Sequence, residues 1–196
     1  MDAFEMDPIE QLMAEHRVIE DVLDALESYV ARLDDGADPA DLARFVTFLR
    51  AFADGCHHGK EEDILFVTLV QQGFPRDSGP VAMMLWEHEE GRRHVGALLD
   101  LAERRGRSQP WTAEDRLALA SHSRAYAALL RAHILKEDQI LYPMARRHLA
   151  SETIADMARR FGEFEARPDP ENGGHEGLHA LAEDLIARHG TRKEEA

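Results

Sequence analysis

From Ile9 onward, apolar side chains return every three or four positions: Ile9, Leu12, Met13, Ile19, Val22, Leu23, Leu26 and Val30, with His16 on the same face. That spacing belongs to a helix burying one stripe. Asp7-Pro8 in front of it is a start signal, with Pro at the first helical position, and Asp34-Asp35-Gly36 marks its end. Asp38-Pro39 repeats the signal and opens a second long helix through Leu42, Phe45, Leu49, Phe52, Cys56, Leu65 and Leu69, ending near Gln72-Gly73. After a loop at Phe74–Gly79, a third helix begins at Pro80 and runs to about Arg105-Gly106, followed by a loop from Arg107 to Trp111. Thr112 is an N-cap with Asp115 three residues on. It starts a fourth helix carrying Leu117, Leu119, Tyr126, Leu129, Leu130, Leu141 and Tyr142, which Pro143 should kink or end. A shorter helix from Ser151 to about Phe164, a Pro/Gly/Asn linker at 166–174 and a last helix around Gly177–Arg188 complete the chain.

Four long helices joined by short loops predict an all-α, antiparallel (up-down-up-down) four-helix bundle over residues 1–150. Residues 151–196 are expected to be a C-terminal helical extension, packed on or trailing the bundle.

Two stretches of this pattern repeat. His57-His58-Gly59-Lys60-Glu61-Glu62-Asp63-Ile64-Leu65-Phe66 and His133-Ile134-Leu135-Lys136-Glu137-Asp138-Gln139-Ile140-Leu141-Tyr142 share His-x-x-Lys-Glu-acid-x-Ile-Leu-aromatic. The first and third helices share a shorter echo, Glu15-His16 and Glu87-His88. Positions i and i+4 lie one turn apart on one helix face. His57 with Glu61, and His133 with Glu137, can therefore each present an imidazole and a carboxylate to one point. With His16 and His88 entering from the other helices, four imidazoles and two carboxylates converge, a donor set that suits iron, zinc or manganese. Buried together without a cation, such groups would be costly.

The order His, His-x-x-x-Glu, His, His-x-x-x-Glu resembles the HHE cation-binding pattern of hemerythrin-like proteins, over roughly residues 8–150. The resemblance implies two iron ions in an oxo- or hydroxo-bridged di-iron centre held by His16, His57, Glu61, His88, His133 and Glu137. It also implies reactivity toward a small diatomic or peroxide ligand: oxygen, nitric oxide or hydrogen peroxide. Two departures stand out. Oxygen-carrying hemerythrin has two histidines four apart on its third helix, where this chain has Arg92 after His88; it has His-x-x-x-x-Asp on its last, where this chain has Glu137 four after His133. They argue against simple reversible oxygen carriage and for sensing or chemistry, such as peroxide consumption. A non-enzymatic iron-binding or regulatory module, or a bundle holding zinc or manganese, is the alternative.

The flanking residues have plainer readings. His58 and Glu62 repeat the spacing of His57 and Glu61; the repeat favours the latter pair, leaving His58 as an outer or alternative ligand and Glu62 solvated. Glu20 and Arg92 are hydrogen-bonding groups at the pocket or surface pairs. Glu15 and Glu87 orient neighbours or face water. His94 points away from the site, whereas His122 and Tyr126 shape a pocket end. Gly59 and Gly91 fit close helix approach or access for a small ligand. Cys56 reads as packing, and His175, His179 and His189 as parts of a cap.

Composition sets outer limits. Ala and Leu are abundant and the chain carries 11 His but one Cys, so no internal disulfide can form and a reducing cytoplasm is the expected location. The net charge of −15 argues against nucleic acid and anionic membrane surfaces as partners. No apolar run approaches the roughly 20 residues of a membrane span, and the acidic start MDAFEMDPIEQLM lacks a secretory pattern.

Overall fold

The computed structural model describes residues 6–33, 37–105 and 111–190, and these are helices joined by short loops, with no strand among them. The expected end of the first helix at 34–36 and most of the 107–111 loop lie outside the described residues. We label six helices. Helix α1 is Pro8–Ala31, α2 covers residues 40–71, α3 is Gly79–Arg105, α4 covers residues 113–148, α5 is Ser151–Glu165 and α6 is Gly174–His189. None of the described helices is long and apolar enough to cross a membrane.

The start signals act as their chemistry requires. Asp7 accepts from the backbone amides of Ile9 and Glu10 at 2.9 and 3.1 Å, satisfying two donors the helix cannot. Thr112 and Asp115 form a reciprocal capping box at the head of α4. Pro143 does not end α4. The helix widens to a π turn over Glu137–Leu141 and continues through the proline to His148. Helix α2 widens in the same way over Leu49–His58 and again over Glu61–Leu65. Each π turn forms i→i+5 hydrogen bonds and inserts one residue into the α phase. The last helix starts at Gly174, three residues before the pattern places it, after a turn in which Gly173 and Gly174 both take positive φ.

The apolar residues fall into two clusters. One gathers Ile19, Val22, Leu26, Tyr29, Phe45, Phe52, Leu98, Leu119 and Leu130 with Leu178, Ala182 and Leu185 of α6. The other gathers Ile9, Leu12, Leu65, Phe66, Val81, Leu141 and Tyr142 with Met157 and Phe161 of α5. Burial of each large apolar side chain contributes about 1.5–3 kcal/mol, so both clusters hold the helices against their entropy. Leu117, despite its place in the repeat pattern, is 73% exposed. Between the clusters the four long helices turn polar together, at Glu15-His16, His57–Glu61, Glu87-His88 and His133–Glu137, all of which remain buried apart from Gly59 and the residues whose side chains turn away.

The extension lies against this layer. Gly59 is the point of closest approach: a Cβ there would sit 2.7 Å from the ring of Phe164, so only glycine admits α5 at that distance. At the far end, His189 Nε2 meets Asp41 at 2.8 Å and Arg32 contacts His189 Nδ1 at 3.0 Å.

Candidate metal centre

Two overlapping groups of buried ligand atoms occupy the polar layer. His58, Glu61, His88 and His133 form one, and His16, His57, Glu61 and Glu137 the other. Glu61 belongs to both. Glu137 also spans them, with one oxygen 3.3 Å from His16 Nε2 and 3.1 Å from His133 Nε2. All six ligands read from the sequence are therefore brought together, and His58 joins them. The histidines of both registers, His57/Glu61 and His58/Glu62, enter the layer. Both imidazoles are buried at the end of the first π stretch of α2, where adjacent residues diverge less than in an α-helix. The carboxylates do divide: Glu61 lies in the layer and Glu62 outside it.

Every one of the five imidazoles is held through Nδ1 by a carboxylate. His16 meets Asp138 at 2.7 Å, His57 meets Glu15 at 2.9 Å, His58 meets Asp54 at 3.3 Å, His88 meets Glu62 at 2.7 Å and His133 meets Glu87 at 2.9 Å. An imidazole donating from Nδ1 carries its lone pair on Nε2, the tautomer a metal needs. A cation backs each carboxylate in turn. Lys60 bonds Glu15, Lys136 bonds Glu87, Arg17 bonds Asp138, and Arg92 bonds both Asp54 (2.9 Å) and Glu62 (2.7 Å).

The sequence repeat thus encodes three shells at once. Lys60 and Lys136 hold matching carboxylates, and Glu62 and Asp138 hold histidines across the two halves. Glu62 is not a solvated bystander, and Arg92 clamps the two carboxylates behind His58 and His88. Glu20, by contrast, pairs with Arg17 at 2.8 Å at the surface. The halves differ where His58 faces the layer and its counterpart is Ile134, and where Phe66 stacks on His88 while Tyr142 stacks on His16. The Tyr142 hydroxyl donates to Glu61 at 2.6 Å.

Charges inside this layer act strongly on each other. Burial opposes protonating His16 and His133. A hydrogen bond donated to Asp138 and the nearby Glu137 carboxylate nonetheless raise His16 to about 9, and the Glu137 charge, with the hydrogen bond donated to Glu87, raises His133 to about 10. His58 moves the other way, far below its ordinary value, because it is desolvated and faces a positive His88. Burial opposes ionising Glu61, yet the surrounding imidazoles hold its carboxyl well below the usual carboxylate range. The layer in its metal-free form therefore stores protons on histidines between fixed carboxylates.

The donor atoms fit a cation better than they fit one another. His57 Nε2, His58 Nε2, one oxygen of Glu61 and both oxygens of Glu137 are buried without hydrogen-bond partners. His88 Nε2 and His133 Nε2 face each other at 3.1 Å while each ring donates through Nδ1, so two lone pairs oppose unless a proton or metal lies between them. Native interiors rarely leave such atoms unpaired.

A family model, the hemerythrin HHE cation binding domain, matches residues 7–145. The chain belongs to that family. Residues 7–145 include all seven inner donors, whereas helices α5 and α6 lie beyond the match. Uncharacterized proteins of Mycobacterium bovis and Mycobacterium tuberculosis are 28% identical over 166 residues, covering 84% of this chain. The hemerythrin-family chain spans 63% of the length of these curated relatives. No solved structure matches it.

Against oxygen-carrying hemerythrin, Arg92 stands where a third-helix histidine is missing. His58 from α2 adds a fifth imidazole to the layer. A cavity of about 260 Å³ reaches the His58–His88 edge of the layer, lined also by Asp54, Gly91, Arg92 and Tyr126. Tyr126 packs its ring against Gly91. His94 and His122 pair with each other 3.3 Å apart, without a place among the inner donors.

Proposed function

We propose that this chain holds two iron ions and reacts with, or senses, a small oxidant: oxygen, nitric oxide or hydrogen peroxide. The observation that carries the reading is the buried layer of five imidazoles and two shared carboxylates, with its inward-facing donor atoms left without partners. On this reading His58, His88 and His133 hold one ion, His16 and His57 hold the other, and Glu61 and Glu137 lie between them. Bound iron would supply the redox chemistry. The protein's own part is to fix the imidazole tautomers through Asp54, Glu15, Glu62, Glu87 and Asp138, and to keep the layer dry between two apolar clusters. Tyr142 holds a proton on its hydroxyl at Glu61, on the side of the layer that His16 and His57 supply. The cavity beside His58 and His88 is wide enough for a diatomic or peroxide and supports a route to one ion only.

The antiparallel four-helix arrangement is part of this proposal. Along α1 and α3 the chain passes from the Leu12 cluster through the polar layer to the Leu26 cluster, and along α2 and α4 it passes back. That alternation supports an up-down-up-down bundle with the donors at mid-height.

The test is to load the protein with iron, count metal per chain and record its near-ultraviolet absorption before and after peroxide. Two irons, with absorption of a bridged di-iron centre lost in His57→Ala and Glu137→Ala, are expected. Oxygen release from peroxide would favour catalysis over a regulatory module. One metal or none, with spectra unaffected by either substitution, would sink the reading.

A further inference from the structure

A third group of metal-ligating atoms lies outside the buried layer, where the extension meets α2. The thiol of Cys56, a carboxylate oxygen of Glu165 and a ring nitrogen of His175 lie within 4.8 Å of one another. They border a cavity of about 300 Å³. Each comes from a different helix: Cys56 from α2, Glu165 from the last residue of α5 and His175 from the first turn of α6. The His175 ring is steadied by Phe52, 5.8 Å away at 29°, and by His179, 4.6 Å away at 71°. Its Nε2 is buried without a hydrogen-bond partner, 3.5 Å from Glu165.

We infer that Cys56, Glu165 and His175 form a separate binding site for one divalent transition-metal ion of the zinc class. The donor chemistry points there. A thiolate, an imidazole and a carboxylate are the ligand types of borderline-soft zinc, whereas magnesium and calcium take oxygen alone. The surrounding charge agrees. Lys60 is fully buried and bonds both Glu15 and Glu165. Two carboxylates against that ammonium leave one negative charge, and the thiolate that forms on binding adds a second, so a dication is balanced in the occupied site. On binding, the Cys56 thiol loses its proton to solvent through the cavity. Three protein donors with an open side are the number found at sites that keep a position for water, rather than the four that close a structural site.

The site does not depend on what the buried layer holds. Its position still links the two, because Glu165 would serve the ion while its hydrogen-bonded neighbour Lys60 holds Glu15, the partner of His57. An ion here would also tie α5 and α6, which the family match leaves out, to the helix carrying the inner donors.

Cobalt titration of the full-length protein tests the proposal. Cys56 is the sole cysteine, so a near-ultraviolet thiolate-to-cobalt charge-transfer band can arise only there, whatever cobalt occupies the layer. The expected result is a band saturating at one cobalt, abolished in Cys56→Ser and needing at least tenfold more cobalt in His175→Ala. The wild-type chain gives a second readout free of any folding defect. Zinc at a hundred times its dissociation constant should slow alkylation of Cys56 about a hundredfold, since only the free thiol reacts, and His175→Ala should remove that protection. Absence of the thiolate band, alkylation indifferent to zinc, or a band unchanged in His175→Ala would each overturn the site.

Discussion

Lys60 and Lys136 occupy the same place in the repeat and hold the same kind of carboxylate, yet the fold puts them in different media. Lys60 is 0% exposed and bonds Glu15 and Glu165, whereas the Lys136 side chain is 35% exposed and bonds Glu87. Replacing each by Met removes the ammonium and keeps an unbranched stem of similar length. At position 60 the change strands Glu15, itself only 4% exposed. Breaking a buried pair in this way costs about 3–5 kcal/mol, because the remaining charge has no water to turn to. The lower end applies here, since His57 still donates to Glu15. At position 136 water reaches the site, and a solvent-screened pair is worth about 0–1 kcal/mol. For a chain of this size each kcal/mol moves the midpoint by about 2–4 °C. Lys60→Met should therefore melt at least about 6 °C lower and Lys136→Met within about 4 °C of the parent. The assay is thermal and denaturant unfolding of chelator-treated protein, so that metal affinity does not enter. Equal losses at the two positions, or the larger one at Lys136, would refute the claim that burial makes the Lys60 pair the costlier one to break.

Other outcomes follow from the shells. Glu62→Gln removes the anionic partner of His88 and should weaken metal binding about 10–100-fold with little change in metal-free stability; a metal-buffer titration that leaves affinity intact would show that Glu62 does not act through His88. His58→Ile copies the opposite half at Ile134 and leaves two imidazoles on each side, so it should weaken one of the two ions at least about tenfold, read by metal-buffer titration; two unchanged affinities would remove His58 from the ligand set. The protons on His16 and His133 must leave before a metal binds, so apparent affinity should rise with pH, up to about tenfold per unit for each proton displaced, until about pH 10. The stability of the metal-free form runs the other way. The raised values favour the folded state below about pH 6.5, and that contribution is lost as pH climbs through about 9 and 10. A pH-independent affinity, or a metal-free form that gains stability over the same range, would contradict the assigned proton positions.

Much of this architecture was legible in the chain because helical periodicity and the doubled His-x-x-x-Glu are local signals. Asp7-Pro8 and Thr112 fixed helix starts through hydrogen bonds made within three residues. His58 is less legible, since an ideal 100° advance takes it off the face of His57 and only the widened turn brings both inward. The outer partners were partly visible. Lys60/Lys136 and Glu62/Asp138 repeat as faithfully as the ligands, but which carboxylate meets which histidine depends on contacts between helices, such as His16 with Asp138. Of the two outcomes expected at Pro143, a kink or an end, the end does not occur, because the π turn before it removes the regular hydrogen bond that proline would break. The meeting of Cys56, Glu165 and His175 had no local signature: three helices and more than a hundred residues of chain separate the first from the others.

The wide turns make chain length itself a functional variable. An α-helix shortened by one residue must rotate everything beyond the cut by about 100°, which ordinarily destroys a helix's fit with its neighbours. In α4 the π turn carries a spare residue between Glu137 and Leu141, so removing Gln139 can tighten the turn to regular winding and leave the stretch from Tyr142 to His148 aimed as before. The same single-residue loss a few positions upstream, between Tyr126 and His133, has no slack to absorb it and would swing His133 and Glu137 out of the layer. Two deletions of one residue each, about two to three turns apart on the same helix, should thus differ as a silent edit differs from a frameshift, with the buried donors as the reading frame.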